Sequence, residues 1–135
     1  MAVETKSALD AVAYFEHKLA FEMGPVELKM GLDKGEKYQI VDLRSSELFG
    51  KGHIPGSCNV LFENLDGKLN QLDKDVTAVV YCYDELCHLS AKAALLLAKK
   101  GYKVRELSGG WDGWVARNFA VEGQATKSSC SSSCG

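Results

Sequence analysis

The stretch Val79–Leu97, Val-Val-Tyr-Cys-Tyr-Asp-Glu-Leu-Cys-His-Leu-Ser-Ala-Lys-Ala-Ala-Leu-Leu-Leu, constrains this chain more than any other. Val79, Val80 and Tyr81 are β-branched or aromatic, which suits a strand buried on both faces. From Leu89 to Lys100 there is no Gly or Pro, and Ala, Leu and Lys dominate, which predicts a helix. Between the two, Cys82 opens a short loop that also carries Cys87 and His88. A loop joining a buried parallel strand to a helix gathers backbone N–H groups around one small space, and the positive end of the helix points into it. A thiol in that space is expected to have its thiolate form favoured, and the thiolate is the nucleophile.

The remaining segments read as the frame for this loop. Ser7 to Phe21 has helical spacing in Leu9, Val12, Ala13, Phe15, Leu19 and Ala20, with Ser7 as N-cap. Residues 21–23 suit a short edge strand, and Pro25 opens a helix over Val26 to Leu32. Tyr38 to Leu43 predicts a strand interrupted by Asp42, a residue that either caps the following turn or helps to hold the active loop. Ser45 or Ser46 caps a short helix ending near Gly50, and Gly52-His53-Ile54-Pro55-Gly56 is a rigid loop. A strand over Asn59 to Phe62 and a short polar helix over Leu65 to Leu72 follow, with Cys58 as a small buried residue. Gly101 ends the central helix, Lys103 to Leu107 is a strand, and Ser108-Gly109-Gly110 is a tight turn. A closing helix over Trp111 to Phe119 is expected to turn Trp111, Trp114 and Val115 inward. Strands alternating with helices give an α/β domain with a mostly parallel sheet.

At 135 residues the chain suits one domain with a real core. The net charge of −2 and the lack of a dense basic face argue against nucleic acid as a partner. No apolar run approaches the roughly 20 residues that cross a bilayer, so no membrane is expected. Met1 to Asp10 lacks the charged-then-apolar pattern of a signal peptide, so a cytoplasmic protein is expected. In that reducing compartment the five cysteines are expected to be free or chemical. The spacings of Cys82 with Cys87 and of Cys130 with Cys134 make no convincing zinc site, so neither metal nor cofactor is expected.

Six segments taken in order resemble the rhodanese family: Val41-Asp-Leu-Arg44, Gly52-His-Ile-Pro-Gly56, Val79-Val-Tyr-Cys82, Ala93-Ala94, Gly101-Tyr102 and Leu107-Ser-Gly-Gly-Trp111. The resemblance implies a rhodanese-like α/β fold, a mostly parallel central sheet flanked by helices on both faces. It implies one such domain over residues 1–122, with a helical extension at about 6–21, and the Ser/Cys-rich composition of 123–135 predicts a disordered tail. By position the family's catalytic Cys maps onto Cys82, which takes a sulfane sulfur from a donor, becomes a persulfide and passes the sulfur to a thiol or protein acceptor. Tyr83, Asp84, Glu85, Leu86 and His88 then line the substrate, with Asp42, Arg44 and His53 in support.

The loop departs from the family pattern, which follows the Cys with basic and glycine residues and places an Arg before the helix. Residues 83–88 contain no Arg, Lys or Gly, and carry Asp84 and Glu85 instead. Thiosulfate is a dianion that two carboxylates repel, so a protein or low-molecular-weight persulfide is the better expected donor. Cys87 reads as an auxiliary thiol, an alternative nucleophile or a resolving partner. Phosphatase or arsenate-reductase chemistry wants an Arg where His88 stands. Two rivals to sulfur transfer remain: a non-catalytic rhodanese-like module that binds a partner, and a Cys82/Cys87 dithiol redox switch.

Overall fold

The computed structural model describes residues 8–84 and 86–123. Its element order is α1 (Ala8–Phe21), β1 (Glu22–Met23), α2 (Pro25–Asp33), β2 (Tyr38–Asp42), α3 (Ser46–Lys51), β3 (Cys58–Asn59) and α4 (Phe62–Leu65). A 3-10 helix (Asp66–Gln71), β4 (Thr77–Tyr81), α5 (Leu89–Lys99), β5 (Val104–Leu107) and α6 (Gly110–Ala116) complete it. The five strands form one sheet in the order β1-β5-β4-β2-β3, and every pairing is parallel. β4 is therefore the middle strand, and its continuous apolar sequence follows from burial on both faces.

Alternate residues of the strands build two cores. Val41, Ala78 and Val80 pack with Leu65, Ala93 and Leu97 on the α4–α5 side. Ile40, Val79 and Tyr81 pack with Leu28, Leu107 and Trp114 on the α2–α6 side. The period-2 alternation of a pleated strand requires this division, and it places helices on both faces. The expected α/β architecture is the observed one.

Several boundaries differ from expectation for local reasons. β3 is Cys58–Asn59, not Asn59 to Phe62, because Phe62 already begins α4 and anchors to the α4–α5 core. The polar helix expected at Leu65 to Leu72 starts three residues earlier and tightens into 3-10 geometry, with Lys68 off helical dihedrals. α6 stops at Ala116, Asn118 adopts φ 58°, and Val115 faces outward rather than inward. The caps behave as read for α2 and α3: Pro25 opens α2, and the Ser45 hydroxyl accepts from the Leu48 N–H. Ser7, the expected cap of α1, lies outside the described residues, as do residues 124–135 with Cys130 and Cys134. None of the residues of α1 is buried. Among the described residues no helix is long and apolar enough to cross a membrane.

Candidate active site

In parallel α/β sheets ligands collect beyond the carboxyl ends of the strands, and Cys82 stands directly after β4 at that edge. It is 1% exposed. The backbone N–H of Tyr83 and the side chain of Cys87 both act on its sulfur. The start of the loop is stitched to α6: Trp111 N–H donates to the Cys82 carbonyl and Asp112 N–H to the Tyr83 carbonyl, both at 2.9 Å. Gly110 makes this approach possible. A Cβ there would stand 2.7 Å from the Cys82 carbonyl oxygen, and the residue adopts φ +54°.

The loop then turns on itself. The Asp84 carboxylate accepts from Leu86 N–H at 2.9 Å, and the Asp84 carbonyl accepts from Cys87 N–H at 3.2 Å. That turn brings Cys87 back toward Cys82. Cys87 is half-buried, while Tyr83, Leu86 and His88 are exposed. Glu85 lies outside the described residues. A cleft of about 420 Å³ opens beside the loop, lined by Cys87, His88, Asp84, Glu22, Glu106 and Lys18 among others. Lys18 is held by Glu22 at 3.0 Å, and Ser90 donates to Glu106 at 2.6 Å.

Burial pushes the Cys82 thiol up to about 12, and its hydrogen bond to Cys87 and the nearby Asp42 carboxylate add to the shift. The Tyr83 N–H pulls the other way without cancelling it. This reverses the expectation of a favoured thiolate at position 82: removing a thiol from water disfavours its charged form more than one backbone donor recovers. The sign has a measurable consequence. Iodoacetamide should alkylate Cys87 ahead of Cys82 at neutral pH, and Cys82 labelling should rise about tenfold per pH unit well below 12. Peptide mapping by mass spectrometry reads this directly. Equal labelling at pH 7 would contradict the burial argument.

Beneath the loop sits a buried polar group. Asp42 is fully buried and Arg44 is 2% exposed. Arg44 donates through Nε to Asp42 Oδ1 at 3.1 Å and through Nη2 to Asp42 Oδ2 at 2.8 Å. Nη2 also reaches the Gly52 carbonyl at 2.6 Å, and the guanidinium lies 4.3 Å over the Trp111 ring. Asp42 accepts further from the Arg44 N–H at 2.8 Å and from the Tyr81 hydroxyl. The carboxylate thus caps its turn, as one sequence reading had it, and anchors an ion pair with Arg44. Burial works against the guanidinium's charge, and Asp42 outweighs it, holding the Arg44 pKa above its ordinary value. Burial and Asp42 likewise raise the Tyr81 phenol far above its usual range.

The structure assembles Cys82, Tyr83, Asp84, Leu86, Cys87 and His88 in one loop, and sets Asp42 and Arg44 below it. His53 has a different place. Its Nδ1 is 2.8 Å from the Phe49 carbonyl, its ring stacks on Phe49, and its backbone pairs with Glu122. It clips the end of the domain to the 52–56 loop. Tyr81, Gly110 and Lys18 were not read as site residues. The Gly109-Gly110 pair carried a signal, since a second glycine in a turn often marks a close backbone approach. Among the described residues no three His, Cys, Asp or Glu side chains converge as a metal site.

The comparisons with known proteins agree with this geometry. The chain is 36% identical over 88 residues to thiosulfate sulfurtransferase GlpE of Shewanella oneidensis, covering 64% of this chain and 85% of that protein. It is 30% identical over 97 residues to thiosulfate sulfurtransferase GlpE of Pseudomonas putida, covering 71% and 86%. The crystal structure of BH2092 from Bacillus halodurans superposes with a TM-score of 0.79 at 31% identity, covering 87% of each chain. The Rhodanese-like domain family matches residues 25–117, from the first turn of α2 to the end of α6, and the chain belongs to that family.

Proposed function

We propose that this protein transfers sulfane sulfur, holding it as a persulfide on Cys82 and passing it through Cys87 to a thiol or protein acceptor. The observation that carries the reading is the pairing of the two cysteines: Cys82 is enclosed at the end of the central strand, and its neighbour Cys87 lines the open cleft. A donor persulfide R–S–SH entering the cleft meets a cysteine thiolate, which bonds to the outer sulfur. The S–S bond of the donor breaks and R–S⁻ leaves with the electron pair. Exchange between the neighbouring cysteines then moves the same sulfur, with one S–S bond formed and one broken. Burial of Cys82 suits storage, because it shields the carried sulfur from water and from bulk thiols. Backbone N–H groups of the loop, with that of Tyr83 nearest, stabilise the charge that develops on sulfur.

The cleft also bears on the donor. Among the described residues its carboxylates are Asp84, Glu22 and Glu106, and the one lysine lining it, Lys18, is paired with Glu22. A dianion such as thiosulfate, the substrate in the names of the relatives, is repelled there, whereas a persulfide on a protein or small thiol carries less charge to the mouth. Intact mass after incubation with glutathione persulfide, and separately with thiosulfate, tests the reading. Native protein is expected to gain about 32 Da, one sulfur, from the persulfide and little from thiosulfate. Cys82→Ser is expected to lose the stored sulfur, and Cys87→Ser to load at least about tenfold more slowly, since the outer thiol is the accessible one. The contact between the sulfurs also permits a disulfide. A loss of about 2 Da with no sulfur gained would replace sulfur transfer by a redox switch, and no change with any donor would favour a binding module.

A further inference from the structure

The helix α1 is folded but unburied. It spans 14 residues, or about 21 Å, and none of them is buried. Leu9 and Leu19 remain 79% and 75% exposed, and Val12, Tyr14, Phe15 and Phe21 are more than half exposed. At its last turn Arg105 Nη2 donates to the Leu19 carbonyl at 3.0 Å and Lys18 meets Glu22. A helix of this length is marginal in water without packing, and an apolar face of this size on a domain surface marks an interaction site.

A complementary surface lies on the same molecule. Between α5 and β5 runs a groove of about 560 Å³, lined by Ala91, Ala94, Leu95, Ala98, Val104 and others. Ala91, Leu95 and Ala98 follow one another at spacings of four and three, and Ala8, Val12, Phe15 and Leu19 repeat four, three, four. Those are the spacings of two helices packing at a shallow angle, with large side chains on one and small ones on the other. The root of α1, at Ala20 and Phe21, borders the groove.

We propose that two copies of this chain form a two-fold dimer in which α1 of each lies in the α5–β5 groove of the other. Two observations select a second copy as the occupant. The chain's own segments outside the described residues, 1–7 and 124–135, contain Met1 and Val3 as their only large apolar side chains apart from cysteines, too few to fill the groove. Area suffices too. Four exposed side chains on and beside the apolar stripe of α1, Leu9, Val12, Phe15 and Leu19, at roughly 100 Å² each, buried twice over with the surfaces that cover them, exceed the ~1,200 Å² at which stable interfaces begin. Because α1 leaves from beside the groove it would fill in the partner, the exchange closes on itself as an isologous pair. A membrane surface fits less well, because interfacial helices carry a polar face rich in Lys and Arg, and α1 has Lys18 alone. The dimer would also fix α1 beside the Cys87 cleft, where Lys18 lies.

Sedimentation velocity on the full chain at tens of micromolar tests the pairing. Native protein is expected at twice the 14.7 kDa chain mass. Phe15→Glu/Leu19→Glu on the helix and Leu95→Glu in the groove are each expected to weaken the dimer at least about 100-fold, since each places charge at the centre of the contact. Both leave a folded monomer by circular dichroism, because the altered side chains are exposed in the single chain. A monomeric native protein overturns the proposal, and so does a dimer that survives either variant. Native monomer that co-sediments with vesicles containing anionic lipid would assign α1 to a membrane surface instead.

Discussion

Replacing Asp42 by Ala is expected to destabilise the fold by about 3–5 kcal/mol, the range observed when one partner of a buried ion pair is removed. The reason is what remains behind. Arg44, at 2% exposure, keeps its charge and retains the Gly52 carbonyl and the Trp111 and Tyr81 rings but no carboxylate. Its backbone N–H and the Tyr81 hydroxyl lose their acceptor as well. An unpaired buried cation and orphaned donors each cost free energy that the small gain in apolar volume does not recover. Urea denaturation measures the loss as a lower midpoint at unchanged slope. The double variant Asp42→Ala/Arg44→Met should recover much of it, because removing both charges also removes their desolvation cost. An Asp42→Ala protein within 1 kcal/mol of native, a bound well below the ~3 kcal/mol floor, would mean that Arg44 escapes to water and that the pair is not structural.

The second large effect is expected at Gly110. Alanine there meets the Cys82 carbonyl oxygen at 2.7 Å and the Tyr83 and Asp84 backbone at 3.1 Å, in a conformation with φ +54°. Left-handed backbone alone costs an ordinary residue roughly 1–2 kcal/mol. Backbone atoms on the far side of the clash cannot rotate away, so the loop itself must move. Gly110→Ala should therefore lower the melting temperature by about 8 °C or more, at about 4 °C per kcal/mol. It should also break the hydrogen bonds from Trp111 and Asp112 that seat Cys82. Sulfur loading should fall by more than tenfold even at temperatures where the protein stays folded. Gly113, inside α6, supplies the control, since a Cβ there finds its nearest neighbour, the Ser108 carbonyl oxygen, at 3.5 Å. Gly113→Ala is expected to be neutral or slightly stabilising, because alanine favours helix over glycine. Equal effects at the two positions would show that the helix, and not the approach to the loop, is sensitive.

The architecture was legible because its signals are local. The apolar run at β4, the Gly-free helix α5 and the Pro25 start of α2 each report on residues close in sequence, and together they fix an α/β alternation. The ordered segments from Val41 to Trp111 carried the family resemblance. Short elements were harder. β3 has two residues, and the 62–71 region changes helix type at a kink, so propensity over so few positions is outweighed by where Phe62 and Leu65 can be buried.

By itself the sequence determined that a buried strand ends in Cys82, that Cys87 and His88 precede a helix, and that the loop between them is acidic rather than basic. Only the tertiary structure decided how those groups behave. Folding brings Cys87 against Cys82 and takes Cys82 out of water, and the cost of burying charge reverses the expected preference for thiolate. Folding also joins Asp42, on one strand, with Tyr81 on its neighbour, and encloses Arg44 between Gly52 and Trp111. It leaves α1, amphipathic in sequence, with no core of its own to cover it. A residue's type is written in the chain, but its solvation and its partners depend on groups distant in sequence, and those are set only when the sheet assembles.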